Sequence, residues 1–419
     1  MSAAQLAVVA LCTAALILDG YDIQVMALTV PSLARSWALP PSDFGWALSG
    51  VVIGITVGSG VLGPLGDRFG RRTMLIAAMA TAGIATAATA LATSPAQFVF
   101  WRCLTGAGLG AGIPSCAALT SEFSPVANRS WVMGLMNSGP PIGAFSAGLI
   151  APAVLETFGW RGTFVIGGVG PLLIAVLALG LPESLKFLYV RSPSDPRIAR
   201  SLRKVAPEVH PSALQVRAPE LTERRSPRDL IKPPYLRRTL LLWAMVCLNL
   251  FNLYVLVSWL PTILEQSGWN HAASLIGAVL IQAGGVIGGL SMSRFLDRGA
   301  TKSALIGGFT LSAVCLASFA VLPGGAVWIV LLLLVGAGIS GSQLSLNTLS
   351  AAYYPPSIKA TGVAWALVIG GVGSTVGPLV GAGLIARHLT PVTIVALLAF
   401  PSLLCAVCAA QLRQEWQAH

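Results

Sequence analysis

Apolar runs of about 20 residues recur along the whole chain, separated by short polar or Pro/Gly-rich segments. A helix of about 20 apolar residues crosses the roughly 30 Å hydrocarbon core of a bilayer. The pattern therefore predicts an all-α membrane protein with twelve transmembrane helices. These spans, numbered 1 to 12 throughout, are predicted at 6–33, 43–65, 72–92, 96–120, 129–154, 160–181, 237–264, 271–293, 302–322, 325–350, 358–386 and 390–411.

Composition excludes the main classes of water-soluble protein. Of the 419 residues 55% are hydrophobic and only 10% are charged, and the mean hydropathy is +0.78, whereas about 25% of the residues of a soluble domain are charged. A soluble enzyme, a secreted disulfide scaffold and a disordered chain are therefore excluded. Cys405 and Cys408 form a CxxC pair with no second pair and no nearby His, so neither a metal nor another cofactor is predicted.

The charges predict the orientation in the membrane. Thirteen of the 26 Lys and Arg lie between Lys186 and Arg238, in a polar linker whose basic excess would also attract anionic lipid. Loops on one side of the predicted spans hold 22 Lys and Arg, against three (Arg35, Arg161 and Arg387) on the other. Because basic loops remain in the cytoplasm, both termini are predicted to be cytoplasmic in a bacterial inner membrane; this side is called inner below. The net charge of +11 is then a membrane signal and does not indicate nucleic-acid binding.

An internal repeat relates two halves of the chain. A shift of 230 residues places Asp67-Arg68 on Asp297-Arg298 and Gly106-Ala107-Gly108 on Gly336-Ala337-Gly338. The repeat predicts a six-helix half at 1–181, a cytoplasmic linker at 182–236 and a second, pseudo-symmetric six-helix half at 237–419. Two parallel halves imply a pseudo-two-fold axis along the membrane normal and a substrate site at their interface, which is the architecture of an alternating-access carrier.

The two halves differ in their intramembrane charges. Three ionisable residues lie deep in the predicted spans: Asp19, Asp22 and Arg102. Each such charge costs ~2.5 kcal/mol or more on insertion scales, so all three are functional candidates. Their counterparts after the shift are neutral: Asn249, Asn252 and Leu332. Proton handling is therefore expected in the first half, and mainly substrate contact in the second.

Spacing indicates how these charges meet. Asp19 and Asp22 share one face of span 1, and Arg102 of span 4 reaches a similar depth in the outer half, so an ion pair between the two spans is predicted. A carboxylate in hydrocarbon binds a proton readily, and a nearby cation weakens that binding. A movable Arg102 would then let Asp19 or Asp22 take up and release a proton. The alternative is that Arg102 snorkels to the outer interface.

The loop between spans 2 and 3 reads Gly-Pro-Leu-Gly-Asp-Arg-Phe-Gly-Arg-Arg at 63–72. Its aspartate can cap a neighbouring helix and pair with the basic side chains, a network that would latch one conformation. An ordinary positive-inside loop is the alternative. The stretch resembles the loop 2–3 signature of the major facilitator superfamily, with a degenerate copy at 293–302. The predicted latch residues are Gly63, Asp67, Arg68, Gly70, Arg71, Arg72, Asp297 and Arg298.

Further motifs narrow the resemblance. The chain resembles the aromatic acid:proton symporter family at Asp19-Gly20-Tyr21-Asp22, Arg102, Phe158-Gly159-Trp160-Arg161, Leu181-Pro182-Glu183-Ser184, Ser258-Trp259-Leu260-Pro261 and Ala360-Thr361-Gly362-Val363. This resemblance implies the major facilitator fold and proton-coupled uptake of a small aromatic carboxylate such as a hydroxybenzoate. One departure lies in span 11, where family members commonly have an arginine and this sequence has Gly371. Carboxylate recognition would then fall to Arg102 or to neutral donors, or the substrate would differ from the family's usual ones.

Polar and aromatic residues within the spans are candidates for substrate contact: Tyr21, Arg102, Asn137, Asn249, Asn252, Gln282, Gln343 and Trp365. The four preferred amides are Asn249, Asn252, Gln282 and Gln343, because each offers two donors and an acceptor. Each could instead form an interhelical hydrogen bond or a packing contact. The expected partners are the aromatic acid, protons and membrane lipid, and a monomer is expected.

Two other functions compete with symport. The Gly-Pro-Pro-Ile-Gly run at 139–143 partly matches a signature of superfamily exporters and suggests a proton-driven efflux antiporter of small organic compounds. Span 11 has its own Gly-Pro-Leu-Val-Gly run at 377–381, so the pattern also fits a packing or kink device. An enzyme is not expected, because the four His lie at loops, span edges or the tail and no nucleophile or phosphate-binding constellation is present.

Overall fold

The computed structural model describes the chain except residues 126–127, 193–195, 197, 199–229, 234, 323–324, 353, 355 and 413–419. Within the described ranges the chain forms helices and connecting turns, with no β-strand. Most of the predicted linker at 182–236 lies outside the described residues, as does the tail after Leu412.

Helices occupy all twelve predicted spans, which confirms the all-α architecture. In the first half they are Ala3–Trp37 (span 1), Gly45–Val57 with the π-helical turn Gly58–Leu62 (span 2), Arg71–Thr89 (span 3), Pro95–Phe123 (span 4), and Arg129–Asn137 with Gly139–Ala178 (spans 5 and 6). In the second half they are Leu236–Gln266 (span 7), His271–Asp297 (span 8), Thr301–Ser318 (span 9), Ala326–Ala352 (span 10), Pro356–Ala386 (span 11), and Pro391–Leu397 with Ala399–Ala410 (span 12). Short helices at Pro41–Phe44, Leu65–Phe69 and Leu185–Arg191 lie in the connections.

Ten segments of the described chain are long and apolar enough to cross a membrane. One of them, Trp131–Ala178, contains both span 5 and span 6. The chain turns between these two spans at Gly159, whose φ of 64° lies in the left-handed region that favours glycine. The 19-residue span 3, Arg71–Thr89, is not among the ten; it begins with two arginines.

Prolines explain one of the breaks within spans. Span 12 is interrupted at Leu398, three residues before Pro401. A proline has no N–H to donate to the carbonyl four residues earlier and its ring clashes with that carbonyl, so the helix breaks before it. At this break the carbonyl of Leu398 accepts a hydrogen bond from Asn252 Nδ2 of span 7 at 3.0 Å.

The 230-residue repeat extends from the sequence to the helix contacts. In the first half a Cβ on Gly106 of span 4 would overlap the carbonyl oxygen of Val51 in span 2. In the second half a Cβ on Gly336 of span 10 would overlap the carbonyl oxygen of Ile281 in span 8. Gly336 and Ile281 lie 230 residues after Gly106 and Val51, respectively. A glycine at the equivalent position therefore permits the same close approach of backbones in each half.

A second pair of contacts repeats in the same way. Gly143 of span 5 packs directly on the carbonyl oxygen of Ile17 in span 1, and Gly373 of span 11 packs on the carbonyl oxygen of Cys247 in span 7. Because the exporter-like glycine in span 5 has an exact packing counterpart in span 11, this glycine is explained by helix packing.

The contacts divide the chain into two compact units. The first consists of Met1–Val25 with Gly50–Glu220, and the second of Met26–Ser49 with Leu221–His419. The core of the first unit is formed by spans 1, 3, 4 and 6, with Leu16, Leu75, Leu109 and Ile174 among its buried residues. The core of the second is formed by spans 7, 9, 10 and 12, and includes Met245, Phe309, Leu346 and Cys405. The domain boundaries at 181 and 237 stay a prediction.

Candidate functional site

The predicted ion pair between spans 1 and 4 is present, and it selects one of the two aspartates. Arg102 Nη1 donates to Asp22 Oδ1 at 3.0 Å, and Arg102 Nη2 donates to Asp22 Oδ2, which makes the pair bidentate. Arg102 is fully buried and Asp22 is 5% exposed. Arg102 therefore does not snorkel to the outer interface. A bidentate pair of this kind is the strong form of the arginine–carboxylate interaction.

Spans 3 and 6 complete the surroundings of this pair. The Thr86 hydroxyl of span 3 lies 3.3 Å from both Asp22 Oδ1 and Thr105 Oγ1. The ring of Phe164 in span 6 lies 5.3 Å from the guanidinium carbon of Arg102, a cation–π distance. Phe164 in turn contacts Phe98 edge-to-face at 5.4 Å. Arg102 is thus held by an aromatic wall on one side and a carboxylate on the other.

Asp19 differs from Asp22 in having no such partner. It is 7% exposed, and its Oδ1 forms no hydrogen bond with the described residues. A buried ionised carboxylate without a partner is unfavourable, whereas a protonated one is tolerated. The two aspartates share a helix but have different electrostatic environments: Asp22 is held by a cation, and Asp19 has no ion pair with a described residue.

Two further polar side chains of span 1 are buried without hydrogen-bond partners among the described residues. One is the Tyr21 hydroxyl, a predicted substrate contact, whose ring lies against Gly167 of span 6. The other is Gln24, 1% exposed, whose amide nitrogen and oxygen are both unpaired. Sequence reasoning missed Gln24, although an amide two residues after Asp22 in an apolar span was a usable signal.

The predicted polar residues of the second half separate into two groups. Asn249 of span 7 donates to the Ile339 carbonyl and to Gln343 Oε1 of span 10, so the structure brings these two candidates together. Asn252 instead faces span 12, where it donates to the Leu398 carbonyl and to Ser402 Oγ at 2.8 Å. The repeat thus replaces the Asp19 and Asp22 positions by amides that bond neighbouring helices.

The remaining predicted contacts, Trp365, Gln282 and Asn137, differ in their exposure. Trp365 of span 11 is 37% exposed and stacks on Trp243 of span 7, with ring centroids 6.0 Å apart. Gln282 of span 8 is half-buried, and Asn137 is exposed at the end of the helix Arg129–Asn137. Trp243 was missed by sequence reasoning, because an aromatic residue in an apolar span looks like any other core residue.

The loop between spans 2 and 3 is anchored mainly through Arg72, the second of two adjacent arginines. Arg72 Nε donates to the Ala178 carbonyl at 3.1 Å, and the Arg72 backbone N–H donates to Glu183 Oε1 at 2.8 Å. Gly70 has φ 104° and lies against the Glu183 carboxylate, which leaves no room for a side chain. Glu183, in the motif that closes span 6, therefore receives the loop and was not predicted to do so.

Asp67 has a smaller role in this conformation. Its side chain is 71% exposed and pairs with Arg71 one helical turn later. Arg68 packs over the ring of Phe69 at 5.5 Å, and Gly63 follows the π-helical turn of span 2. In the degenerate copy, Arg298 is exposed, and the side chain of Asp297 lies outside the described residues. The pairing of Asp67 with a loop arginine is present, and its role as a latch stays a prediction.

Comparison with known proteins agrees with this architecture. A family profile described as Major Facilitator Superfamily matches residues 12–378. The 4-hydroxybenzoate transporter PcaK of Pseudomonas putida is 36% identical, over 92% of this chain and 87% of that protein. A gallate transporter of Pseudomonas putida is 31% identical, over 96% of this chain and 90% of that protein.

Solved structures show the same fold. The inward-open conformation of the xylose transporter XylE from E. coli superposes with a TM-score of 0.74 and covers 97% of this chain and 96% of that one. At 18% sequence identity, this similarity concerns the fold alone. The predicted major facilitator fold is therefore confirmed.

Proposed function

This chain belongs to the Major Facilitator Superfamily, and we propose that it takes up a small aromatic carboxylate together with a proton by alternating access. A member of this family is a transporter and not an enzyme, as expected from the sequence. The observation that carries the proposal is the arrangement on spans 1 and 4: a buried Asp22–Arg102 pair on the same helix as a buried carboxylate, Asp19, with which no described cation pairs.

The substrate class rests on the relatives. Those described above transport 4-hydroxybenzoate and gallate, which are both benzene rings with one carboxylate and at least one hydroxyl. The alignments with them extend over nine-tenths of this chain. We therefore propose a hydroxylated benzoate as the substrate, and we use 4-hydroxybenzoate as the probe in each experiment below.

Proton coupling follows from the difference between the two aspartates. Asp22 is already engaged in a buried, bidentate ion pair with Arg102. Asp19 has no cation to stabilise its ionised form, so it is the group suited to carry a proton across the hydrocarbon. Linkage then requires that a substrate which binds better to the protonated carrier also favours proton binding.

The competing proposal of efflux has lost its main support. Gly143, in the glycine pattern of span 5 that suggested export, packs against span 1. Its counterpart in span 11, Gly373, packs against span 7 in the same way. A pattern that both halves use for helix packing does not indicate a direction of transport, so uptake remains the proposed direction.

A binding screen tests the substrate class. The purified protein would be heated with 4-hydroxybenzoate, gallate, an aliphatic carboxylate of similar size, and 4-hydroxybenzyl alcohol, which keeps the ring but lacks the carboxylate. We expect the two aromatic acids to raise the melting temperature and the other two compounds to leave it unchanged. Stabilisation by the neutral alcohol but by neither acid would refute the proposed substrate class.

A further inference from the structure

Three side-chain amides form a continuous hydrogen-bonded chain in the second unit. Asn249 Nδ2 of span 7 donates to the Ile339 carbonyl at 3.1 Å and to Gln343 Oε1 at 2.9 Å. Gln343 Nε2 then donates to Asn347 Oδ1 at 3.1 Å, one turn further along span 10. This amide ladder, formed by Asn249, Gln343 and Asn347, runs from a residue that is 2% exposed to one that is exposed.

The direction of the ladder is fixed at its buried end. A backbone carbonyl can only accept, so the Asn249 group facing Ile339 must be the amide nitrogen. The same nitrogen supplies its second hydrogen to Gln343, which must therefore present its oxygen. Gln343 then presents its nitrogen to Asn347, and Asn347 must accept with its oxygen. The amino group of Asn347 consequently points away from the ladder, and no described residue accepts a hydrogen bond from it.

The exposed end of the ladder lies near the inner end of span 10. Asn347 precedes Ala352 by five residues, or about 8 Å of helix. Its exposed apolar neighbour one turn earlier on the same helix is Leu344, which suits lipid. An amide with unused donors is unfavourable in hydrocarbon, so this edge of the span fits a path that contains water or a polar ligand.

The Lys and Arg residues of this half lie at the ends of its spans, so an anion meets no fixed positive charge in their interiors. No Lys or Arg occurs between Arg238 and Arg294, or between Lys302 and Lys359, and span 11 has Gly371 where the family resemblance implies an arginine. Oriented neutral N–H donors can bind a carboxylate through charge-assisted hydrogen bonds. A carboxylate dissociates from neutral donors without leaving an unpaired buried cation behind, which suits a carrier that must release its substrate.

We propose that the amide ladder is the carboxylate-binding subsite of the second unit, with Asn347 and Gln343 donating to the substrate and Asn249 positioning them. This inference rests on the proposed aromatic-acid transport. It assigns the carboxylate to a set of neutral donors whose direction is fixed by one backbone carbonyl, in place of the absent arginine of span 11.

The test compares variants at the exposed end of the ladder. Asn347→Asp keeps the acceptor for Gln343 but replaces the outward amino group by a charged oxygen, and Asn347→Ala removes the group altogether. Loss of a hydrogen bond to a charged group weakens binding by about tenfold or more. We expect both variants to raise the Kd for 4-hydroxybenzoate at least to that extent, Asn347→Asp more strongly. The matched control is Thr348→Ala, since the Thr348 hydroxyl is exposed but already bonded to the Leu344 carbonyl at 3.1 Å.

A second variant tests the positioning role of Asn249. Asn249→Leu removes the residue that fixes the direction of the ladder without changing a group that touches substrate. We expect a higher KM for 4-hydroxybenzoate exchange with an unchanged maximal rate, although the loss of two hydrogen bonds lowers the melting temperature. A lower maximal rate with an unchanged KM would indicate a purely structural role and overturn this assignment.

The outcomes separate this subsite from the proposed function. If the wild-type protein binds 4-hydroxybenzoate and the Asn347 variants bind it as tightly as Thr348→Ala does, the ladder proposal is overturned while aromatic-acid transport stands. If the wild-type protein binds no aromatic acid, the proposed function falls and the subsite falls with it.

Discussion

At the scale of single residues, the two aspartates of span 1 have different surroundings, although their spacing in the sequence does not distinguish them. Their i, i+3 spacing correctly predicted a shared face and an ion pair with Arg102. It could not predict which of them takes the arginine, because that depends on the rotation of span 1 against span 4. Thr86 and Phe164 complete the site, and neither was predictable, since neutral residues in an apolar span carry no distinguishing pattern.

The pairing predicts unequal stability effects for substitutions of the two aspartates. Asp22→Asn leaves Arg102 buried without its counter-ion, and the loss of one partner of a buried pair costs about 3–5 kcal/mol. Asp19→Asn removes no hydrogen bond of Oδ1 and should leave the melting temperature nearly unchanged. Thermal unfolding of the two variants in the same detergent measures the difference. The control is the double variant Asp22→Asn, Arg102→Gln, which should recover most of the lost stability; equal melting temperatures for both single variants would contradict the assignment.

At the scale of helices, the twelve spans were predictable from apolar runs, and their packing repeat was not. Four glycines, Gly106, Gly143, Gly336 and Gly373, form equivalent backbone contacts in the two halves. The sequence indicated the repeat for the first pair through the shift of 230, but it could not show which helix each glycine faces. That information depends on helix rotation, which an all-round apolar helix does not encode in its pattern.

The glycine contacts predict a sharp contrast within span 11. A Cβ at Gly373 would overlap the Cys247 carbonyl, whereas a Cβ at Gly383 would meet nothing within 4 Å. Gly373→Ala should therefore destabilise the protein by about 1–3 kcal/mol through overpacking. Gly383→Ala is the matched control and should change stability by no more than about 1 kcal/mol, in the stabilising direction. The melting temperatures of the two variants measure this contrast, and a similar loss in both would show that the close approach is not what Gly373 provides.

At the inner loop between spans 2 and 3, Glu183 is expected to anchor the loop and Asp67 to latch one conformation. Glu183 accepts from the Arg72 backbone and lies 3.4 Å from the Thr73 hydroxyl, so Glu183→Ala should loosen the loop in this conformation. Asp67 forms one exposed pair worth about 0–1 kcal/mol, so Asp67→Asn should leave the fold stable but slow transport if the residue latches another conformation.

Hydrogen–deuterium exchange and transport rates measured on the same preparations distinguish these two roles. We expect faster exchange at residues 70–75 in Glu183→Ala only, and slower transport with unchanged exchange in Asp67→Asn. Unchanged transport in Asp67→Asn would leave the loop as an ordinary positive-inside loop, the alternative that the sequence allowed.

At the scale of the whole molecule, the buried charges of the described residues lie in one half of a repeated architecture. The first unit holds the buried Asp22–Arg102 pair and the unpaired Asp19, while the second holds amides at the positions equivalent to the aspartates. This division was predicted from the 230-residue shift, because ionisable residues in apolar spans stand out in a sequence. A carrier needs only one site that exchanges protons, and the second half is then free to bind substrate with neutral groups.

The central claim is that a proton gradient drives uptake of an aromatic carboxylate through Asp19, and accumulation in vesicles tests it most directly. Proteoliposomes with an acidic exterior would be given radiolabelled 4-hydroxybenzoate, with protein-free vesicles measuring passive entry of the neutral acid. We predict accumulation above the protein-free level that collapses with a protonophore and is absent in Asp19→Asn, while Asp19→Asn retains exchange of labelled for unlabelled substrate at equal pH. Accumulation by Asp19→Asn equal to that of the wild type, or export of the substrate against the proton flow, would contradict this account.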